Sequence, residues 1–276
     1  MASVPFTPIL NGEYQRLFDT CQIRLERLQE VESLIKNITQ NRNRYQTMGD
    51  PLGIPWYFIG VIHCMEASLN FDKHLHNGDP LTARTFQIPK GRTKEGQPPF
   101  TWEQSATDAL QIKKLDQAPD WSLPATLYRL EAYNGFGYRA LHPEVLSPYL
   151  WSYSNHYTKG KYVKDGTFSL TAVSKQCGVA VLLRRMAEIG TLQFKPDGIP
   201  ITGVGNDNPD GNALFDKFGP LIRFSKKERS PLVEELQKIL NTFPGIFLKV
   251  DGIAGERTSD AFKKVTGGFL FGDPRA

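Results

Sequence analysis

The sequence has few cysteines, no long apolar run and no concentrated basic segment. Its three cysteines, Cys21, Cys64 and Cys177, lie far apart, which predicts neither a disulfide framework nor the paired spacing of a zinc site. No apolar stretch reaches the roughly 18 residues that a membrane-spanning helix needs. The lysines and arginines are scattered despite a formal net charge of +4. We therefore expect no membrane insertion and no nucleic-acid partner.

The first residues also lack the basic and apolar regions of a Sec signal peptide, so none is expected. What the sequence does contain is enough apolar material for a substantial core. Of its 276 residues, 40% are hydrophobic and 11% are aromatic. A chain of this length can hold one large domain and one small domain.

Apolar residues recur every three or four positions over much of the chain, a spacing typical of helices. Thr101 and Ser122 are candidate N-caps, and Pro55 suits a first helical turn. The pattern predicts one long amphipathic helix and four shorter ones, over residues 11–40, 55–66, 101–115, 122–133 and 170–189.

A small β-hairpin is predicted between the second and third of these helices. Residues 71–75 and 81–88 would pair around the turn signal at 76–79. The fold class expected is mainly α, with an α+β larger domain and a small C-terminal helical domain. The predicted boundaries are 1–190 for the larger domain, 191–228 for a linker or loose surface segment, and 229–276 for the small domain.

Glu66 lies near the end of the apolar segment 55–66 and shares a helix edge with Ile59, Ile62 and Leu69. A carboxyl group on that edge should hold its proton near neutral pH, because desolvation raises its pKa. Acid-catalysed cleavage of a glycosidic bond needs such a group beside a second, ionised carboxylate. Asp79, in the turn, is the preferred partner.

Asp72 is the second choice for that partner. His76 and Thr85 are candidate substrate contacts, and Tyr149 and Trp151 are candidate walls of a sugar cleft, since amphipathic aromatic rings stack on sugars. The sequence His-x-His-x-x-Asp at 74–79 would be the start of a metal site. A catalytic zinc needs a third protein ligand with support, and no motif supplies it, so no metal and no cofactor is expected.

The C-terminal residues resemble the type 1 peptidoglycan-binding domain. That pattern has a Leu-Gln-x-x-Leu-Asn helix, a Val-Asp-Gly-x-x-Gly-x-x-Thr turn and a closing helix with Ala-Phe. The matching residues are Leu236, Gln237, Leu240, Asn241, Val250, Asp251, Gly252, Gly255, Thr258, Ala261 and Phe262. Physically, Asp251 and Gly252 indicate a turn with positive φ.

The larger part resembles the lysozyme superfamily, nearest to goose-type lysozymes and lytic transglycosylases. The resemblance is carried by residues 60–66, the segment after them, and Tyr-Asn-Gly-Phe-Gly at 133–137. It implies that Glu66 is the general acid. It also implies that Tyr133, Asn134 and Gly135 line the sugar cleft.

The function expected is therefore peptidoglycan hydrolysis, at the β-1,4 bond between N-acetylmuramic acid and N-acetylglucosamine. The partner would be the glycan strands, at a cell wall outside the cytoplasm reached by phage lysis or a non-Sec route. A lytic transglycosylase, a chitinase-like glycosidase and a non-catalytic wall-binding protein are the alternatives.

Overall fold

Helices form most of the computed structural model, which describes residues 4–164, 166–192, 194, 209–243 and 245–276. The expectation of a mainly α chain is confirmed. The helices are α1 Pro8–Asp19, α2 Leu28–Gln40, α3 Arg42–Gly49, α4 Trp56–Ala67, α5 Trp102–Ile112, α6 Leu123–Asn134, α7 Gly137–Leu141, α8 Pro148–Trp151, α9 Val179–Glu188, α10 Pro209–Phe218, α11 Pro231–Leu240 and α12 Glu256–Thr266. The strands β1 Lys161–Lys164 and β2 Thr167–Ser169 form one antiparallel pair.

Helix α4 lies at the centre of the first core and contacts α2, α3, α6 and α9. It is apolar around its whole circumference, as expected for a helix with neighbours on every side. Gly60 permits its close approach to α2, because a Cβ there would lie 2.6 Å from Ile38 Cγ2. In the part of the chain that is described, no helix has both the length and the apolar character to cross a bilayer.

The prediction of one helix over 11–40 is wrong, because α1 ends at Asp19 and α2 begins only at Leu28. The intervening segment pairs with a distant part of the chain. Ile23 forms a β-bridge with Ser154, and the Arg24 amide donates to the Tyr153 carbonyl at 3.0 Å. The apolar spacing continues through the break because Cys21 is still buried in the core.

The third and fourth predicted helices are confirmed, and their caps explain why. Thr101 and Gln104 form a reciprocal capping box at the start of α5, and α6 has Pro124 in its first turn. The helix predicted over 170–189 begins later, at Val179. Its N-cap Gly178 is pressed against another segment, since a Cβ there would lie 2.2 Å from the Leu150 carbonyl oxygen.

The predicted hairpin of 71–75 and 81–88 is reduced to one antiparallel bridge between Lys73 and Pro80. Residues 81–88 are irregular instead of extended. The two-stranded sheet is found elsewhere, at β1 and β2, with Tyr162 opposite Phe168.

A second core joins α10, α11 and α12, with Leu214, Phe218, Leu236 and Phe262 buried in it. Helix α10 lies inside the segment predicted as a linker, so the described part of the C-terminal unit begins at residue 209 instead of 229. Residues 193 and 195–208 of that predicted linker lie outside the described residues.

Candidate active site

Glu66 is the penultimate residue of α4, where the chain leaves the helix in an unusual conformation. Ser68 and Leu69 both have left-handed backbones, with φ of 53° and 60°. The amides of both residues bond to the His63 carbonyl. Consecutive non-glycine residues in this region carry strain that is typical of functional sites.

The Glu66 side chain is half-buried, and burial raises its pKa to about 7. A hydrogen bond from the Tyr149 hydroxyl to Glu66 Oε1, 3.1 Å long, acts in the opposite direction. The positive charge of Lys113 also acts to lower the pKa. The carboxyl group is therefore partly protonated at neutral pH, in agreement with the expectation from its apolar helix edge.

Two buried tyrosines lie around this carboxyl group. The Tyr133 hydroxyl donates to the Leu75 carbonyl at 3.2 Å, and burial and the charge of Glu66 raise the pKa of Tyr133 and Tyr149 well above the ordinary value. Both phenols are neutral at any physiological pH. Of the two, Tyr149 contacts Glu66 directly through its hydroxyl, and its predicted role as a wall of the sugar cleft stays a prediction.

Lys113 was not anticipated from the sequence. It is exposed and follows the last turn of α5, and its Nζ donates to the Tyr133 carbonyl at 3.1 Å. The positive charge of Lys113 acts to lower the pKa of Glu66. A lysine just after a helix is common, so only its hydrogen bond to the Tyr133 carbonyl distinguishes it from other surface lysines.

Asn134 and Gly135 end α6. The Gly135 backbone has φ 96° and ψ 149°, a conformation accessible essentially to glycine alone, and its amide bonds to the Glu131 carbonyl at 2.8 Å. Asn134 is exposed. The Tyr-Asn-Gly sequence thus makes a sharp helix end, and its contact with a sugar stays a prediction.

Asp79 is almost fully buried, with 1% of its surface exposed. Its carboxylate accepts hydrogen bonds from the Phe86 amide at 2.8 Å and from the Gln87 amide and side chain at 3.0 and 2.8 Å. Asn77 supplies another at 3.1 Å. Burial acts to raise the pKa of Asp79, but these hydrogen bonds outweigh it and lower the pKa. The carboxylate is ionised and holds the loop after residue 79 in place.

Asp72 differs from Asp79 in its exposure to solvent. The residue is exposed, and its backbone carbonyl accepts from the Leu81 amide at 3.0 Å. Its carboxylate makes no hydrogen bond within the described ranges. A catalytic role for either aspartate stays a prediction, and exposure to solvent favours Asp72.

The other loop residues proposed as substrate contacts are buried and form hydrogen bonds within the protein. Thr85 is buried, donates to the Pro89 carbonyl at 2.5 Å and accepts from the Arg92 amide at 2.9 Å. His76 is buried with Nε2 2.7 Å from Asp108 Oδ2. Both predictions are corrected: these side chains stabilise the loop instead of facing a ligand.

Both ring nitrogens of His74 also have hydrogen-bond partners within the protein: Nδ1 lies 2.8 Å from Ser105 Oγ and Nε2 lies 2.8 Å from the Ala83 carbonyl. Within the described residues there is no group of three side chains suited to a metal ion. Trp151, predicted to be a cleft wall, is 1% exposed and belongs to the core. Its position at the end of α8 turns the indole inward.

Other buried carboxylates of the larger part have evident structural partners: Asp19 accepts two hydrogen bonds from the Gln15 side chain, at 2.9 and 3.1 Å, and two buried glutamates form salt bridges. Glu131 pairs with Arg139 at 2.9 Å, and Glu188 pairs with Arg184 and Arg185 at 3.1 and 3.2 Å. Glu66, like Asp19, has no ion pair among the described residues, and the hydrogen-bond partner of its carboxyl group there is the Tyr149 hydroxyl. A desolvated carboxyl group without a salt-bridge partner is a candidate acid catalyst.

In the C-terminal unit, the matched motif residues form one buried network around Gln237. Its Oε1 accepts from the amides of Asp251 and Gly252, each at 2.9 Å. Its Nε2 donates to the Ile253 carbonyl and to Thr258 Oγ1, each at 3.1 Å. Gly252 has φ of 73°, which confirms the predicted turn. These residues therefore hold the loop between α11 and α12.

Comparisons with protein-family models, with curated proteins and with solved structures found no match to this chain. The function proposed below therefore depends on the chemistry of the site itself and on the sequence motifs.

Proposed function

We propose that the chain is a lysozyme-like peptidoglycan hydrolase in which Glu66 is the general acid. The observation that carries the proposal is the Glu66 carboxyl group, which lies at the end of a buried helix, has no ion pair and has its pKa raised to about 7 by burial. A group with this pKa can both hold and release a proton at neutral pH, which is the property that a general acid needs.

Tyr149 and Lys113 would assist the proton transfer. The Tyr149 hydroxyl occupies Oε1 of Glu66, which leaves Oε2 to carry the proton to the glycosidic oxygen of the leaving sugar. The transfer turns Glu66 into a carboxylate. That anion is stabilised by the Tyr149 hydrogen bond and by the charge of Lys113, both of which favour the ionised form.

The second carboxylate would stabilise positive charge on the sugar ring or activate a water molecule. Asp72 is the better placed of the two candidates to meet water, because its carboxylate is exposed. Asp79 would act as a positioning residue through the loop that it holds. Replacing each by asparagine separates these roles: the Asp72 change should lower the turnover number, and the Asp79 change should lower stability as well.

The C-terminal unit would hold the enzyme on the cell wall. Its motif residues resemble those of a peptidoglycan-binding domain, and a second binding module raises the local concentration of substrate without adding contacts at the cleaved bond. The site of action would be a cell wall outside the cytoplasm, with glycan strands as the partner.

The test is the Glu66→Gln variant on purified cell walls. Glutamine keeps the shape and the Tyr149 contact but cannot donate a proton, so lysis should fall by about 100- to 10,000-fold, while sedimentation with walls is unchanged. The matched control is Glu26→Gln, at an exposed position in the turn before α2. Equal lysis by wild type and Glu66→Gln would overturn the proposal, and wall binding without lysis by either protein would point to a non-catalytic binding protein.

A further inference from the structure

His63 is a fully buried histidine of α4 that the proposed proton transfer does not use. It lies about one turn before the candidate general acid, and its ring packs against those of Phe71 and Trp102, with ring centroids 4.5 and 4.8 Å away. Both ring nitrogens have a hydrogen-bond partner. Nδ1 lies 2.9 Å from the Tyr45 hydroxyl, and Nε2 lies 3.1 Å from the Asn70 carbonyl. A polar ring enclosed in this way has a fixed orientation.

The two partners decide which ring nitrogen carries the proton. A backbone carbonyl can only accept a hydrogen bond, so Nε2 of His63 is the donor to Asn70. Nδ1 then accepts from the Tyr45 hydroxyl. Burial lowers the pKa of His63 to about 4, so the ring carries a single proton at neutral pH. The imidazole is therefore a neutral donor that points at residue 70.

His63 thereby holds three consecutive residues of the strained turn after Glu66. Its backbone carbonyl accepts from the amides of Ser68 and Leu69, and its ring donates to the carbonyl of the next residue, Asn70. Ser68 and Leu69 have left-handed backbones, a conformation that non-glycine residues keep only where their surroundings impose it. A single buried residue supplies three of the contacts that impose it here.

The hydrogen bonds continue from this turn to Asp72. The Asp72 amide donates to Asn70 Oδ1 at 2.8 Å. Asn70 is thus held by His63 through its carbonyl and holds Asp72 through its side chain. Asp72 is exposed and is the preferred second carboxylate of the proposed function. A continuous path of hydrogen bonds therefore runs from the buried Tyr45 through His63 and Asn70 to the backbone of Asp72.

We propose that His63 is a positioning residue of the candidate active site, which through Asn70 fixes the backbone of Asp72 relative to the end of α4. This inference rests on the proposed function, in which Asp72 is the second carboxylate and Glu66 the acid. Catalysis by two carboxylates depends on their separation, and a misplacement of about 1 Å can cost about 100-fold in rate. A histidine that only fills the core would affect stability and leave turnover unchanged.

The first test compares two replacements of His63 in the full-length chain. The amide nitrogen of glutamine can reach the place of Nε2 and donate to the Asn70 carbonyl, whereas the shorter asparagine reaches only the place of Nδ1. His63→Asn should therefore lower kcat on short soluble glycans by about 10- to 100-fold, with KM nearly unchanged. His63→Gln should recover most of this loss. Thermal melts identify a temperature at which both variants are folded.

Asn70→Ala is a second variant, at an exposed position where folding is retained. It removes the acceptor of the Asp72 amide and leaves His63 in place, so kcat should fall about as far as in His63→Asn. The matched control is Asn155→Ala. Asn155 is also exposed, and its Oδ1 also accepts from a backbone amide at 2.8 Å, that of Gln22. The control should keep the wild-type kcat.

Two measurements without substrate separate this proposal from the proposed function. The Asp72 amide should exchange its hydrogen at least about tenfold faster in His63→Asn than in wild type, and nitrogen-15 NMR of wild type should find the ring proton of His63 on Nε2. Unchanged exchange, a proton on Nδ1 instead, or wild-type kcat in folded His63→Asn or Asn70→Ala would each overturn the proposal. A Glu66→Gln protein that still lyses walls would overturn the proposed function and leave the exchange result unaffected.

Discussion

The raised pKa of Glu66 predicts a specific dependence of stability on pH, which Glu66→Gln should remove. The pKa of this group rises from 4.5 to about 7 in the folded chain. The native state therefore binds the proton more tightly than the unfolded state does. The contribution of Glu66 to the free energy of unfolding is complete below pH 4.5 and is lost as the pH rises to about 7. Above that pH it stays constant.

The size of this effect follows from the shift. Each pKa unit corresponds to 1.36 kcal/mol, so a rise from 4.5 to about 7 would correspond to about 3 kcal/mol. Glu66 is only half-buried, which reduces the effect through solvent screening, and we expect about 2 kcal/mol. Glutamine does not titrate, so the variant should gain about 2 kcal/mol relative to wild type between pH 4.5 and pH 8.

The assay is urea unfolding of wild type and Glu66→Gln at these two pH values. For each protein the change in the free energy of unfolding between the two pH values is calculated, and these two changes are compared. Asp19→Asn is a matched comparison, because burial also raises the pKa of Asp19 to about 7. It should show a similar loss of pH dependence although it lies outside the candidate site. Glu26→Gln should show none. A Glu66→Gln protein with the same pH dependence as wild type would refute the assignment of a desolvated carboxyl group.

Three other changes have defined outcomes. Tyr149→Phe removes a hydrogen bond to the Glu66 carboxylate, worth about 1.5 to 3 kcal/mol for a charged acceptor, so the pH at which wall lysis falls off should rise by about 1 to 2 units; an unchanged profile would contradict it. Gly252→Ala places a Cβ 3.0 Å from the Ser230 carbonyl oxygen at a φ of 73°, and urea unfolding should show a loss of about 1 to 2 kcal/mol. Deleting residues 209–276 should weaken lysis of whole walls more than hydrolysis of short soluble glycans, with circular dichroism as the check of folding, and equal losses would contradict the tether.

Local signals in the sequence were sufficient for several parts of the molecule. Thr101 with Gln104, and Pro124, define the starts of α5 and α6 because capping depends on residues three or four positions apart. The apolar edge of α4 identifies Glu66 because residues three or four positions apart lie on the same side of a helix. The Asp-Gly pair before Ile253 indicates its turn, since a positive φ is a property of the single residue Gly252.

Long-range contacts account for what the sequence could not supply. The break after α1 depends on pairing of Ile23 with Ser154, which no local pattern records. Asp79 was expected to be the ionised catalytic partner in a turn, yet its carboxylate accepts hydrogen bonds from the backbone amides seven and eight residues later. Lys113 donates to the carbonyl of Tyr133, which lies twenty residues later in the sequence. In each case the role of the residue depends on a contact with a part of the chain that no local pattern identifies.

The most direct test of the account is a titration of the Glu66 side-chain carboxyl by carbon-13 NMR, with Glu66→Gln used to assign the signal. We expect a midpoint near pH 7, because burial raises the pKa of this group to about 7. A midpoint near the ordinary 4.5 would show a solvated, ionised carboxylate at neutral pH and would contradict its role as the general acid.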